Sequence, residues 1–387
     1  MKKLLTVLLA VLCCSAGFCE IICSEIKEPG ASPIWYIQGP AGDFVYFNIF
    51  VPNRSLPVSG TAHMAEHLIF GSSEGMESGA LDLALESLGY SADAYTSYDF
   101  TCFRTVIRPE HLDTVCSLFA NAIRHPLFDE NELRLEKGIV KDEYAGKNGD
   151  FDALKRALLR ALYGNTLYGL PPEGENIDAI TTDDLRLYHE LNYQSFVIVV
   201  YGNADRDALT AAVGKYFPAP QGPLTEQAPD LKPPKGVTEL AEGGLYGIGV
   251  PMAPAGLFGE SVCCSVLSSL VYNAAREALP GARVRYSHNT GKYASPFLLM
   301  TDSPRGKEAI AKALEDVKAG RFTDGALDAA KRLQLTDFLT RNQEGKSLTY
   351  QLGQMYILNG LKGIGDYQDF ISGVSREDIA KAAEKYL

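Results

Sequence analysis

Two histidines one helical turn apart, with a glutamate between them, are the residues of this chain best suited to chemistry. They stand in Thr61-Ala62-His63-Met64-Ala65-Glu66-His67-Leu68. His63 and His67 are i and i+4, so on a helix both imidazoles leave the same face. That separation lets two ring nitrogens reach one zinc ion at roughly 2.0–2.1 Å each. Glu66 shares the face and is close enough to act on a zinc-bound water without being a ligand. The pattern is H-x-x-E-H, the reverse of the H-E-x-x-H zinc signature. The plain alternative is two surface histidines on an ordinary helix. A catalytic zinc also needs a third protein ligand and an open position. Glu136 and Glu143 lie seven apart on a second helix and share a face of it, but taken alone they are ordinary surface acids.

The elements that must carry these residues can be read in outline. Residues 32–52 read as a β-hairpin around a Gly-Pro-Ala-Gly-Asp turn. Helices are expected over 61–70, 78–89, 110–124, 130–162 (with a break near 146–149) and 182–192. Strand-like runs cover 91–107 and 195–201. Six prolines between Pro218 and Pro234 exclude a helix or inner strand there, so 218–235 reads as an extended linker. The second half repeats the order of element types: a strand over 244–250, a helix over 259–279, strands over 283–301, then helices over 307–319, 324–342 and 348–358. Thr181–Tyr193 resembles Ser375–Leu387, each a capped start followed by an amphipathic helix. A strand follows the first of these helices, and no such strand follows the second. The expected fold class is α+β, with two repeated halves at 20–217 and 236–387, each an antiparallel-rich sheet covered by helices.

The whole chain has 387 residues, 46% hydrophobic, with a formal net charge of −12. Such a chain can fill ordinary cores. Its acidity argues against nucleic acid as a partner, because phosphate binding needs clustered Lys and Arg. Lys2, Lys3 and the apolar run Leu4–Leu12 read as an export signal over 1–19, too short to span a bilayer. The expected location is therefore periplasmic or envelope-associated. A lipid anchor at Cys13 or Cys19 is a lesser alternative. Cys14 also falls in this segment, and the five cysteines beyond it, an odd number without a C-x-x-C pair, do not make a disulfide framework or a thiolate zinc site. Gly71-Ser72-Ser73-Glu74-Gly75 matches a serine-nucleophile pattern but follows a helix rather than a strand. His111, His125, His189 and His288 stand alone and read as surface or packing residues.

The segment TAHMAEHLIFGSS, followed at a distance by Glu143 in an E-x6-E helix, resembles the inverzincins, the insulinase, pitrilysin and mitochondrial processing peptidase family of zinc metallopeptidases. The resemblance implies that zinc falls to His63, His67 and Glu143, that Glu66 is the general base, and that Glu136 orients the site. Gly89–Thr101 is similar to the family's N-A-x-T-x-x-x-x-T strand, which pairs with substrate backbone, so Asp93, Ala94 and Thr96 are implied as substrate contacts. Asp93 stands where the family usually has Asn, which keeps the acceptor and loses the amide donors. In the second half Tyr286, with Arg276 or Arg285, resembles the Arg and Tyr that hold the substrate carbonyl. The implied activity is zinc-dependent endopeptidase cleavage of peptides or unfolded chains, within a homodimer or a heterodimer with a related chain. The alternative is a non-catalytic partner subunit of the same fold.

Overall fold

A computed structural model describes residues 22–39, 42–54, 59–146, 149–220, 224, 226, 228–363 and 365–387. The expected export segment, 1–19, lies outside them. The chain runs through β1 (Ile22–Ile26), β2 (Ile34–Gln38), β3 (Val45–Pro52), α1 (Thr61–Ile69), α2 (Ala80–Ser87), β4 (Ala92–Thr96) and β5 (Phe100–Ile107). Then come α3 (Leu112–Arg124), α4 (Glu130–Gly146), α5 (Asp150–Tyr163), α6 (Thr182–Asn192), β6 (Val197–Gly202) and α7 (Arg206–Tyr216). The second series is β7 (Thr238–Glu242), β8 (Leu245–Met252), α8 (Phe258–Ala278), β9 (Val284–His288), β10 (Ser295–Thr301), α9 (Gly306–Lys318), α10 (Asp324–Arg341), α11 (Gly345–Asn359), α12 (Tyr367–Gly373) and α13 (Arg376–Tyr386). Among the described residues no helix is long and apolar enough to cross a membrane.

The class is α+β, as the alternation of strand and helix patterns implies. The first sheet has the order β1-β2-β6-β3-β5-β4 and the second β7-β8-β10-β9. One expectation fails here. Residues 32–52 do not form a hairpin, because β6 lies between β2 and β3, parallel to the first and antiparallel to the second. In the second series β7 and β8 do pair directly, and no counterpart of β6 occurs among the described residues. The two similar helix starts are real. Thr181 with Asp184 and Ser375 with Asp378 each close a reciprocal capping box.

Strand β3 shows why the hairpin misleads. Val45, Phe47, Ile49 and Val51 face a core with Met64, Ala65 and Leu68 of α1 and with residues of α3, α6 and α7. The alternate residues are covered too: Asn48 Nδ2 donates to Thr349 Oγ1 at 3.1 Å, and Phe50 lies against Tyr350, both on α11. A strand buried on both faces is nearly continuously apolar and carries no mark of which strand pairs with it.

The chain divides into two compact units that are not contiguous in sequence. One holds 1–143, 172–227 and 341–357, and the other 144–171, 228–340 and 358–387. The expected division into 20–217 and 236–387 is thus corrected by two exchanged segments. Helix α11, from late in the chain, covers one face of the first sheet. Helix α5, from the first half, packs on β7, β8 and β10. Strand β8 is built for it. Tyr246, Ile248 and Val250 face the second core, while a Cβ on Gly247 or Gly249 would fall about 3 Å from the leucines Leu154, Leu158 and Leu162 of α5. The described residues of the proline-rich joint form no helix or named strand; Pro218 makes one isolated bridge with Ala31.

Candidate metal centre

Helix α1 begins after Gly60, whose φ of 86° suits glycine and turns the chain into the helix. Met64, Ala65 and Leu68 anchor one stripe of α1 in the core. The neighbouring stripe carries His63, Glu66 and His67. The two rings meet edge to face, with centroids 4.7 Å apart. Helix α4 supplies the opposing carboxylates. Glu143 Oε2 lies 3.6 Å from His63 Nε2 and 3.8 Å from His67 Nε2. Glu136 Oε2 lies 2.9 Å from His67 Nδ1. Glu132, one turn earlier on the same helix, accepts from the Ser72 backbone N–H at 3.1 Å and from its hydroxyl at 2.9 Å. That contact ties α4 to the loop leaving α1. Glu132, Glu136 and Glu143 are spaced by four and seven, so they share a face.

His63, His67 and Glu143 can each offer one donor atom, and all three atoms lie within 4.8 Å of one another. A tetrahedral zinc with bonds of about 2.1 Å separates its ligand atoms by roughly 3.4 Å, so the measured spacings fit with small adjustments. The chemistry of the set fits as well. Two imidazole nitrogens and a carboxylate oxygen suit zinc, and a ring nitrogen engaged by a carboxylate is the usual support for a histidine ligand. Glu66, 9% exposed, stands beside the cluster. Burial pushes its carboxyl up to about 7, aided by Glu143 and Asp93; the hydrogen bond from Thr96 and the nearby His67 pull the other way.

The remaining predicted residues are placed as follows. Strand β4 is an edge of the first sheet. Its Thr96 faces α1 and donates to Glu66. Ala94 lies on the same face, packed on the core. Asp93 alternates to the opposite face. There it accepts from Arg104 Nε at 2.8 Å and lies 3.6 Å from Lys346 Nζ. Its acidic side chain is therefore met by two cations, which explains why an acid is tolerated there. Arg276 is exposed on α8. Arg285 lies over the Phe151 ring at 4.7 Å, and Tyr286 stacks on Tyr272 at 4.3 Å; these three residues belong to the second unit and the metal cluster to the first. Ser73 is buried and accepts from Asn121, a structural bond. His111, His189 and His288 are held by Tyr90, the Ile123 carbonyl and Ser265 respectively, and His125 approaches Glu74 at 3.9 Å. The roles of Thr101, Asn53 and Glu132 were missed from sequence: Thr101 closes the N-A-x-T-x-x-x-x-T pattern and Glu132 lies one turn before Glu136, but neither position reveals its partner, and nothing marks Asn53.

Fold and cluster together resemble those of the inverzincin type. Residues 56–174 match the family described as insulinase (peptidase family M16). It is 25% identical over 374 residues to "Zinc protease PqqE" of Helicobacter pylori, covering 89% of this chain and 84% of that one. It is 30% identical to "Uncharacterized zinc protease YmxG" of Bacillus subtilis, over 41% of this chain and 40% of the relative. Among solved structures, a protease from Helicobacter pylori superimposes with a TM-score of 0.80 at 21% identity, covering 95% of this chain and 97% of that one. A peptidase M16 inactive domain from Pseudomonas fluorescens gives 0.77 at 17% identity, with 94% and 95% covered. These two likenesses speak for the fold.

Proposed function

We propose that this chain is a zinc-dependent endopeptidase acting on peptides or unfolded polypeptides. The observation that carries the reading is the convergence of His63 Nε2, His67 Nε2 and Glu143 Oε2 beside a buried Glu66. Zinc held by these three residues supplies a Lewis acid and makes water acidic near neutral pH. Glu66 accepts the proton of the attacking water and delivers it to the leaving amine. Glu136 keeps the His67 ring turned toward the cluster. The open edge of β4 offers backbone N–H and C=O groups to an extended peptide. The names of the relatives support a peptidase. A non-catalytic partner subunit is the lesser reading, since the three donors and the base are all present here.

The test is zinc content together with cleavage of a mixed peptide pool. Glu66→Gln is expected to keep its zinc and lose about 10²- to 10⁴-fold in turnover. A chelator should abolish cleavage, and added zinc should restore it. Unchanged turnover in Glu66→Gln removes the base from the mechanism. Zinc bound without any cleavage points to the partner subunit.

We further propose that the chain is exported without residues 1–19, to the periplasm or envelope, and works paired with a second copy or a related chain. Mass analysis of the mature N-terminus after cell fractionation, with light scattering on the purified protein, checks both. A full-length cytoplasmic monomer would refute them.

A further inference from the structure

The hydroxyl of Thr96 lies 2.5 Å from Glu66 Oε2, and the threonine is only 7% exposed. Glu66 acts as a base in its ionised form, which accepts and cannot donate, so in that form the Thr96 proton is committed to Glu66. Thr101 stands directly opposite Thr96 across the β4–β5 ladder, fully buried, with the two Oγ1 atoms 3.1 Å apart. Thr96 has no second proton, so Thr101 is the donor in that pair. Two hydroxyl dipoles therefore point in series at one carboxylate oxygen, in a place shielded from water where such bonds reinforce one another.

The hairpin tip that carries both threonines is itself tied down. Asn53 donates from Nδ2 to the Ser97 carbonyl at 3.0 Å, and its backbone N–H donates to the Asp99 carbonyl at 2.8 Å. Tyr188 on α6 donates to Asn53 Oδ1 at 2.7 Å. A glutamate side chain has three rotatable bonds and sweeps widely unless it is held. Fixing Oε2 decides where Oε1 points.

We infer that Thr96 and Thr101 are positioning residues that aim the free oxygen of Glu66 at the reacting water, and that Thr96 is not a substrate contact. The inference rests on the peptidase reading above. Thr96→Val keeps the branched shape and removes the hydroxyl. It is expected to lower kcat by about 10- to 100-fold, the range for a lost hydrogen bond to a charged group, with zinc per chain and KM for peptide unchanged. Thr96→Ser should restore kcat to within a few-fold of wild type. In a Glu66→Gln background, Thr96→Val should add no further loss, because the group it aims is gone.

Wild-type kcat in Thr96→Val overturns the inference. So does a raised KM at constant kcat, which is what a substrate contact would give, or an undiminished second loss in the Glu66→Gln background. If Thr96→Val does not fold, as judged by its thermal transition, Thr101→Val carries the same test with the same split between kcat and KM. Failure of the peptidase reading looks different: the wild-type chain itself would then bind zinc and cleave no peptide.

Discussion

The imidazole of His67 is engaged from both sides, by Glu136 at Nδ1 and by the shared approach of Glu143 at Nε2. Removing the first should weaken the second, because a ring free to turn no longer presents its nitrogen. Glu136→Ala is expected to lower zinc affinity by about 10- to 100-fold, read by competition with a coloured chelator. Undiminished affinity would show that Glu136 is a bystander. At this scale the sequence is informative where helical geometry does the sorting. Positions 63, 66 and 67 must share a face, as must 136 and 143, whatever the tertiary structure. It misleads on β4. Alternation says that Asp93 and Thr96 point to opposite faces, but which face meets α1 depends on packing. The apolar content of Ala92, Ala94 and Tyr95 does not decide it.

Helix α11 covers the first sheet through contact too close for an ordinary side chain. A Cβ on Gly353 would fall 2.2 Å from the edge of the Phe50 ring, itself fully buried. Gly353→Ala should therefore destabilise the protein by about 1–3 kcal/mol despite the better helix propensity of alanine. A shift of the urea midpoint to lower concentration checks this, and an unchanged or raised midpoint would refute it. The existence of α11 was legible, since 348–358 was expected to be helical. Its seat was not, because its polar and apolar residues alternate without a clear helical stripe and the strand beneath it is covered on both faces. The same cause hid the insertion of β6. Strands β1 and β7 and helix α12 are short, and their patterns do not rise above the surrounding loops; α7, as long as α6, buries only Leu209, Ala212 and Val213 and was missed too.

The repeat of element types in the two halves was readable from order alone, and the twin capping boxes at Thr181 and Ser375 bear it out at the helix starts. The unit boundaries were not readable. Proline content marks where a chain cannot be regular, not which sheet a distant helix covers. In each series one helix leaves its own sheet: α5 goes to the second, α11 to the first. These two hold matching ranks, each following the long helix α4 or α10. Severing the chain anywhere in 218–235 would thus yield no pair of miniature proteins. The front fragment would bare an aromatic floor at Trp35, Tyr46 and Phe50 while trailing an orphaned leucine stripe, and the rear would show glycines to water where that stripe belongs. For this architecture the smallest self-sufficient piece holds both series, because each carries the helix that roofs the other's sheet.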